Sequence, residues 1–296
     1  MRAGSKSAAS IPSPPTRRLI GPARDPCHTG RMHARSAVVD LYGDHLRQHG
    51  WWAPVAGVVA LARDCDVQPA AARTAVSRLV REGWLVAEAR AGVRGYAATP
   101  LAQERLVGAH ARIYATGPRG WDGTWHVVIV EHGGERRRRD QVSASMGYLG
   151  YGRLAPGAWV SPRASEELSG VLARHGARWT AVRGPLDVGA ASPAALAARV
   201  WDLEALASAY RDFLAALPGP SQVRALTSAD AYPERARVVH AWRKFLFSDP
   251  DLPAEVLPDG WVGVEARARF LEVAGALRPA AELHVARTLR AGDSAA

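Results

Sequence analysis

Cysteine is nearly absent: Cys27 and Cys65 are the only two among 296 residues. Two thiols make neither a disulfide framework nor a four-ligand metal cluster, and their scarcity fits the reducing cytoplasm. No apolar run approaches the roughly eighteen residues that mark a membrane-spanning helix. The N-terminal stretch lacks the apolar centre of a secretory signal. Catalytic signatures are missing too: no phosphate-binding loop, no Gly-x-Ser-x-Gly elbow, no His-Glu-x-x-His and no Cys-x-x-Cys. The chain is therefore expected not to be an enzyme, to need no metal or cofactor, and to stay out of membranes.

What the chain has is positive charge, a formal +10 at pH 7. Such an excess suits a nucleic-acid partner, but here its placement weakens the argument. Arg2, Lys6, Arg17, Arg18, Arg24 and Arg31 stand against Asp25 alone in the first thirty-one residues, which therefore carry half the excess. That stretch is rich in Pro, Ser and Arg and reads as a disordered basic tail over residues 1–33. Met32, just ahead of the first periodic segment, offers an alternative start of translation.

The informative stretch is 66–85. Pro69 suits the first position of a helix, Ala72, Ala75, Val76, Leu79 and Val80 recur at helical spacing, and Gly83 is placed to end it. Opposite that apolar stripe lie Arg73, Thr74, Ser77, Arg78 and Arg81. A helix of this size fits the major groove, where arginine binds guanine bidentately and hydroxyls reach bases or phosphates. The competing interpretation is a solvated amphipathic helix, and the neighbours decide. A first helix is expected over 36–49, capped by Ser36, then a second over 54–63 and a tight turn at 64–67. Trp51 and Trp52 read as core residues. After Gly83, strand-like runs at 84–89 and 93–97 flank the turn Arg90-Ala-Gly92. Helix, turn, helix and hairpin make a winged helix-turn-helix, with Arg90 and Arg94 on the wing to reach phosphates or the minor groove.

A linker helix follows from the Thr99-Pro100 cap to about Ala115, closing a DNA-binding domain over 34–116. Pro118 and Gly120 mark a boundary. The β-branched run 125–130 reads as a buried strand, 135–149 as a helix and 150–163 as a glycine-punctuated pair of strands. A helix over 165–175 and a strand over 177–186 complete the segment. Strand, helix, two strands, helix, strand predicts a ferredoxin-like α+β domain over 117–190. Arg136 to Arg139 open its first helix against the helix dipole, as a solvated face or an anion contact. From 191 to 296 the pattern is helical: one long helix over 193–217, a second over 233–247 and a third over 263–277. The fold class is thus α+β, with a helical C-terminal domain.

Four separated segments then resemble one family, the phenylacetate-degradation repressors (PaaX family) of bacteria. They are Arg73-Thr-Ala-Val-Ser-Arg-Leu-Val-Arg-Glu-Gly-Trp84, Trp121-Asp-Gly-Thr-Trp125, Gly150-Tyr-Gly-Arg-Leu-Ala-Pro-Gly-Ala-Trp-Val-Ser-Pro-Arg163, and Trp242-Arg-Lys-Phe-Leu-Phe-Ser-Asp-Pro-Asp-Leu-Pro253 with Leu257-Pro-Asp-Gly-Trp261. The resemblance covers about residues 36 to 290. It implies a homodimeric winged-helix repressor, cytoplasmic, of an aromatic-acid catabolic operon of the phenylacetate type. Binding of an aryl-acetyl-CoA thioester such as phenylacetyl-CoA would release it from double-stranded operator DNA. It also implies a middle domain similar in fold to the small CRISPR-adaptation nuclease. The tail lies outside the family pattern, and Gln68 is a poor cap for the recognition helix.

A CoA thioester carries phosphates and an apolar arm, so its pocket calls for arginines beside aromatic walls. Tyr151, Arg153, Trp159 and Arg163 fit that description as effector-binding candidates, while arginines tying a glycine loop to carbonyls or carboxylates remain the structural alternative. Two other functions stay open. One is a metal-dependent nuclease in the middle domain, for which Asp122 is the obvious acidic candidate although it reads more easily as a turn residue. The other is a winged helix that serves as a protein-docking module.

Overall fold

The computed structural model describes residues 32–117, 120–131, 136–187, 189 and 192–294. The basic tail, the Pro118 boundary signal and the Glu135 start of a helix lie outside these residues. Among them the protein is mixed α/β, with two antiparallel sheets and a helical C-terminal region. No helix there is long and apolar enough to cross a membrane.

The first segment runs α1 (Ala34–Asp44), β1 (Trp52–Pro54), α2 (Val55–Asp64), α3 (Pro69–Arg81), β2 (Leu85–Arg90), β3 (Val93–Ala98) and α4 (Pro100–Ile113). α1 begins earlier than the Ser36 cap expected from sequence. Its N-cap is His33, which makes no side-chain capping bond, and Ser36 lies inside the helix. Val38, Leu41 and Tyr42 set the helix start by turning toward the core. β1 has no separate sequence signal. It exists because Trp52, Ala53 and Pro54 pair with Ala97, Tyr96 and Gly95, joining the hairpin into a sheet of order β1-β3-β2. Ala91 and Gly92 between β2 and β3 both have positive φ, 49° and 82°, the type I′ geometry that matches strand twist.

The middle segment is β4 (Trp125–Val130), α5 (Arg136–Tyr148), β5 (Gly152–Ala155), β6 (Ala158–Ser161), α6 (Leu168–Arg174) and β7 (Trp179–Gly184), with sheet order β5-β6-β4-β7 and every neighbour antiparallel. Strand alternation sends Val128 and Val130 to one face, where Met146 of α5 and Leu172 of α6 cover them. It sends Trp125 and Val127 to the other, against α7 (Pro193–Val200) and Leu252 and Val256.

The remaining helices are α8 (Leu203–Ala216), α9 (Pro220–Ala225), α10 (Ser228–Arg243), α11 (Phe245–Ser248) and α12 (Val262–Ser294). The single helix expected over 193–217 is two. Trp201 adopts extended φ/ψ, and the Asp202 carboxylate caps α8 by accepting from the Ala205 N–H at 3.0 Å. The indole of Trp201 meanwhile stacks on Trp125 and donates to Gly150 O, contacts a continuous helix would forfeit. α10 starts at Ser228 and carries Pro233 inside it, instead of starting there. α12 runs through Pro279 to residue 294, far past the Leu277 end read from sequence. An interior proline costs roughly 3 kcal/mol. Here Ala281, Val285 and Leu289, one face at four-residue spacing, are buried in the core of the first segment beside α2 and outweigh it. The two ends of the chain therefore share a core, to which Tyr232 of α10 also belongs.

A buried polar network ties that seam. Arg235, 1% exposed, forks onto Asp44 through Nε (2.8 Å) and Nη2 (2.9 Å), and its Nη1 donates to Ala274 O. Tyr114 OH donates to Asp44 Oδ1 at 2.6 Å and accepts from Arg235. Burial alone would raise the Asp44 pKa. His45 once protonated in acid, Arg235 at every pH, and the hydrogen bonds from Arg235 and Tyr114 bring it below the ordinary value. Asp40 with His240 and Arg243, and Asp64 with His284, repeat the pattern along the seam.

His45 sets an acid limit on this packing. It is 3% exposed, its Nε2 lies 3.3 Å from Asp44 Oδ2, and neither ring nitrogen is hydrogen-bonded among the described residues. Burial pushes its pKa down to about 4, the pull of Asp44 notwithstanding, and the charges of Arg235, Glu282 and Arg278 bear on it as well. The ring is neutral in the fold, while an unfolded chain protonates it near pH 6.5. Stability is therefore full above pH 6.5 and falls as pH drops toward 4, by at most about 1.4 kcal/mol per pH unit from this group. The lowered Asp44 pKa adds loss in the same direction at lower pH. Urea denaturation at pH 7, 6, 5 and 4 should show the decline, and His45→Phe should flatten it. An unchanged slope in that variant would remove His45 as the cause.

Candidate nucleic-acid interface

α3 is built as its sequence demands. Pro69 fills its first turn, and Gln68 caps it with no side-chain bond, as expected of a poor cap. Gly83 (φ 71°) ends it with its N–H on Val80 O and the Trp84 N–H on Leu79 O, a paired C-terminal closure. Ala72, Ala75, Val76 and Leu79 are buried. Arg73, Thr74, Ser77, Arg78 and Arg81 are all exposed. At about 100° per residue these five occupy one arc of about 140°. Thr74 and Ser77 donate their hydroxyls to Ala70 O and Arg73 O, which leaves oxygen lone pairs pointing outward as acceptors.

The hairpin stands beside this face. A cleft of about 890 Å³ separates it from α2 and the start of α3, floored by Val55, Val59 and Tyr96, with Gly292 of α12 at its edge. Arg73 of α3 and Arg94 of β3 both line it, and Arg63 of α2 joins them. Arg63 was not anticipated. It ends a helix ten residues before Arg73 in the chain, and only the packing of α2 on α3 brings the two together. Arg63, Arg73, Arg78, Arg81 and Arg94 make no ion pair or side-chain hydrogen bond among the described residues. Arg90 differs. Its Nε binds Glu88 at 2.7 Å, its Nη2 reaches Gly50 O at 3.4 Å, and its guanidinium lies 5.3 Å from the Trp52 ring centroid. It braces the turn end of the hairpin against Gly50 and Trp52.

The four effector candidates divide. Arg153 and Trp159 are cross-strand partners on β5 and β6 and line one cavity of about 330 Å³. Tyr151 is 2% exposed; its hydroxyl accepts from the Ser165 N–H at 3.2 Å and sits 2.7 Å from His126 Nδ1. Burial, with the charge of Arg183, lowers the His126 pKa. Arg163 donates to Asp251 O at 2.5 Å and pairs with its carboxylate at 3.6 Å, fastening the middle sheet to the loop before α12. Asp122 is a turn residue: Oδ1 accepts from the N–H and hydroxyl of Thr124, and Oδ2 pairs with Arg183. Among the described residues no three His, Cys, Asp or Glu side chains are grouped to hold a metal.

Three family descriptions match the chain in order: "PaaX-like protein" over residues 33–99, "PaaX protein central Cas2-like domain" over 118–184, and "PaaX-like protein C-terminal domain" over 201–287. The chain is 29% identical over 259 residues to the transcriptional repressor PaaX of Escherichia coli (strain K12), an alignment covering 83% of this chain and 81% of that protein. Among solved structures it is similar to the uncharacterized protein Rv0674 from Mycobacterium tuberculosis. There the TM-score is 0.58 and the identity 26%, across 88% of this chain and 98% of that one.

Proposed function

The chain belongs to the PaaX-like family, and from that premise we propose that it is a DNA-binding transcriptional repressor of an aromatic-acid catabolic operon, released by an aryl-acetyl-CoA thioester. The observation that carries the DNA reading is the exposed arc of α3, whose arginines have no partners among the described residues, beside a cleft edged by Arg63, Arg73 and Arg94. The element order α1-β1-α2-α3-β2-β3 with sheet order β1-β3-β2 supports a winged helix-turn-helix. The order β5-β6-β4-β7, with two antiparallel-interleaved β-α-β halves, supports a ferredoxin-like middle segment. The arc would enter the major groove while the hairpin and Arg63 hold phosphates. A repressor of this kind acts in the cytoplasm, as a homodimer whose two α3 helices read half-sites about one helical turn apart.

The test is binding of the purified protein to DNA from upstream of its own gene, at two salt concentrations, with and without phenylacetyl-CoA. Sequence-selective binding that the thioester releases and phenylacetate does not is the expected result. Selective binding indifferent to the thioester would discard the effector, and indifference to this DNA at low salt would discard the repressor.

A further inference from the structure

The 330 Å³ cavity of the middle segment lies where β4 ends and β5 turns into β6. Trp159 and Val142 form its apolar floor, and four arginines, Arg138, Arg139, Arg153 and Arg178, surround it. They come from separate places: two from α5, one from β5 and one from the chain just before β7. Arg138 is fixed by its Nε on His175 O at 2.6 Å, and its Nη2 rests against Gly176, another wall of the cavity. Arg153 is exposed and makes no ion pair among the described residues. Glu131, the one carboxylate among the described lining residues, pairs with Arg178 at 2.6 Å while both side chains are more than half exposed, a weak surface contact.

Four guanidinium groups gathered around one concavity repel one another, and the described lining holds one carboxylate. The arrangement also costs the helix, because Arg138 and Arg139 stand in the first turn of α5 against its dipole. Local rules broken together at one cavity mark a place kept for binding. Guanidinium forks match phosphate oxygens bidentately, and the volume sits at the lower bound of ligand pockets. It is too small to enclose a whole coenzyme thioester and large enough to hold a diphosphate.

We propose that this cavity binds the diphosphate of a nucleotide-type small molecule through Arg138, Arg139, Arg153 and Arg178. The inference rests on the ligand-released repressor reading and deepens it: charge at the diphosphate, more than the acyl group, holds the effector. It accounts for why a free aryl-acetate, with one negative charge and no diphosphate, would not serve.

Calorimetric titration of the full-length protein with coenzyme A, ADP and inorganic pyrophosphate tests it, alongside operator binding by the same preparations. Coenzyme A should bind, and more weakly as salt rises. Arg139→Ala with Arg153→Ala should weaken it at least tenfold, with operator affinity in the absence of ligand unchanged. Arg153→Lys should fall between, since it keeps the charge and loses the fork. ADP binding as tightly as coenzyme A would support the site and name a free nucleotide as its source. Coenzyme A affinity equal in wild type and the double variant would overturn the inference, as would no binding of any of the three probes by protein that binds its operator. Loss of operator binding by the wild type would strike the repressor reading alone, because the titrations are read without DNA.

Discussion

Arg78→Ala should weaken binding to the operator by roughly 1–3 kcal/mol, about 5- to 150-fold, while binding to a scrambled duplex changes far less. The asymmetry follows from where the side chain sits. Arg78 lies on the exposed arc of α3 with no ion pair or side-chain hydrogen bond among the described residues, so its removal costs the fold nothing of note, and alanine favours the helix. Arg73 is at the opposite margin of the arc and lines the cleft, so Arg73→Ala should lose part discrimination and part general affinity. Arg94→Ala and Arg63→Ala should weaken both duplexes alike and lower the salt slope by about 1 each, the mark of a lost phosphate contact. Arg90→Ala should act through the hairpin instead, since it removes the brace on Glu88, Gly50 and Trp52. Fluorescence anisotropy on both duplexes at two salt concentrations separates these patterns. Equal losses on operator and scrambled DNA for Arg78→Ala would refute base reading by this face.

Most of the candidate interface was legible in the sequence because it is local. Thirteen consecutive residues of α3 contain the apolar stripe, the arginine arc and the helix start, and Gly83 ends them with the turn its positive φ allows. The alternation and helical spacing of residues 125–184 likewise carried the strand and helix order of the middle segment. What was hidden depended on distant partners. β1 is a strand only because Ala97 and Gly95 pair with it. The break at Trp201 follows from its stacking on Trp125, a residue seventy-six positions earlier in the chain. The helix expected over 263–277 runs on through Pro279 because the burial that carries it lies against α2, more than two hundred residues earlier. The effector candidates show the same division. Glycine-rich spacing picked out residues 150–163, but which of its arginines faces a cavity and which ties down a loop is decided by Asp251 and α5.

Arg235→Ala should be the most destabilising single change in the seam, costing on the order of 3–5 kcal/mol. The arginine is 1% exposed, and its loss strands the Asp44 carboxylate, a buried charge that the Arg235 fork and the Tyr114 hydroxyl keep ionised while His45 is neutral. It also leaves Ala274 O without its donor and removes the cation beside the Tyr114 ring. At about 2–4 °C per kcal/mol for a domain of 150–250 residues, the melting temperature should fall by roughly 6–20 °C. The double change Asp44→Leu with Arg235→Met should recover much of that loss, because two apolar side chains need no compensation once neither charge is buried. A loss below about 1 kcal/mol for Arg235→Ala, or no recovery in the double variant, would show that the network adds little to the seam. Recovery of stability also isolates what the charges do beyond it. Asp44 ends the helix packed behind α3, whereas Arg235 and Ala274 belong to the C-terminal helices. If the rescued double variant still binds its operator but no longer releases it to ligand, the charged contact is what couples the two ends of the chain. If release is intact, the apolar core shared by α2, α10 and α12 suffices.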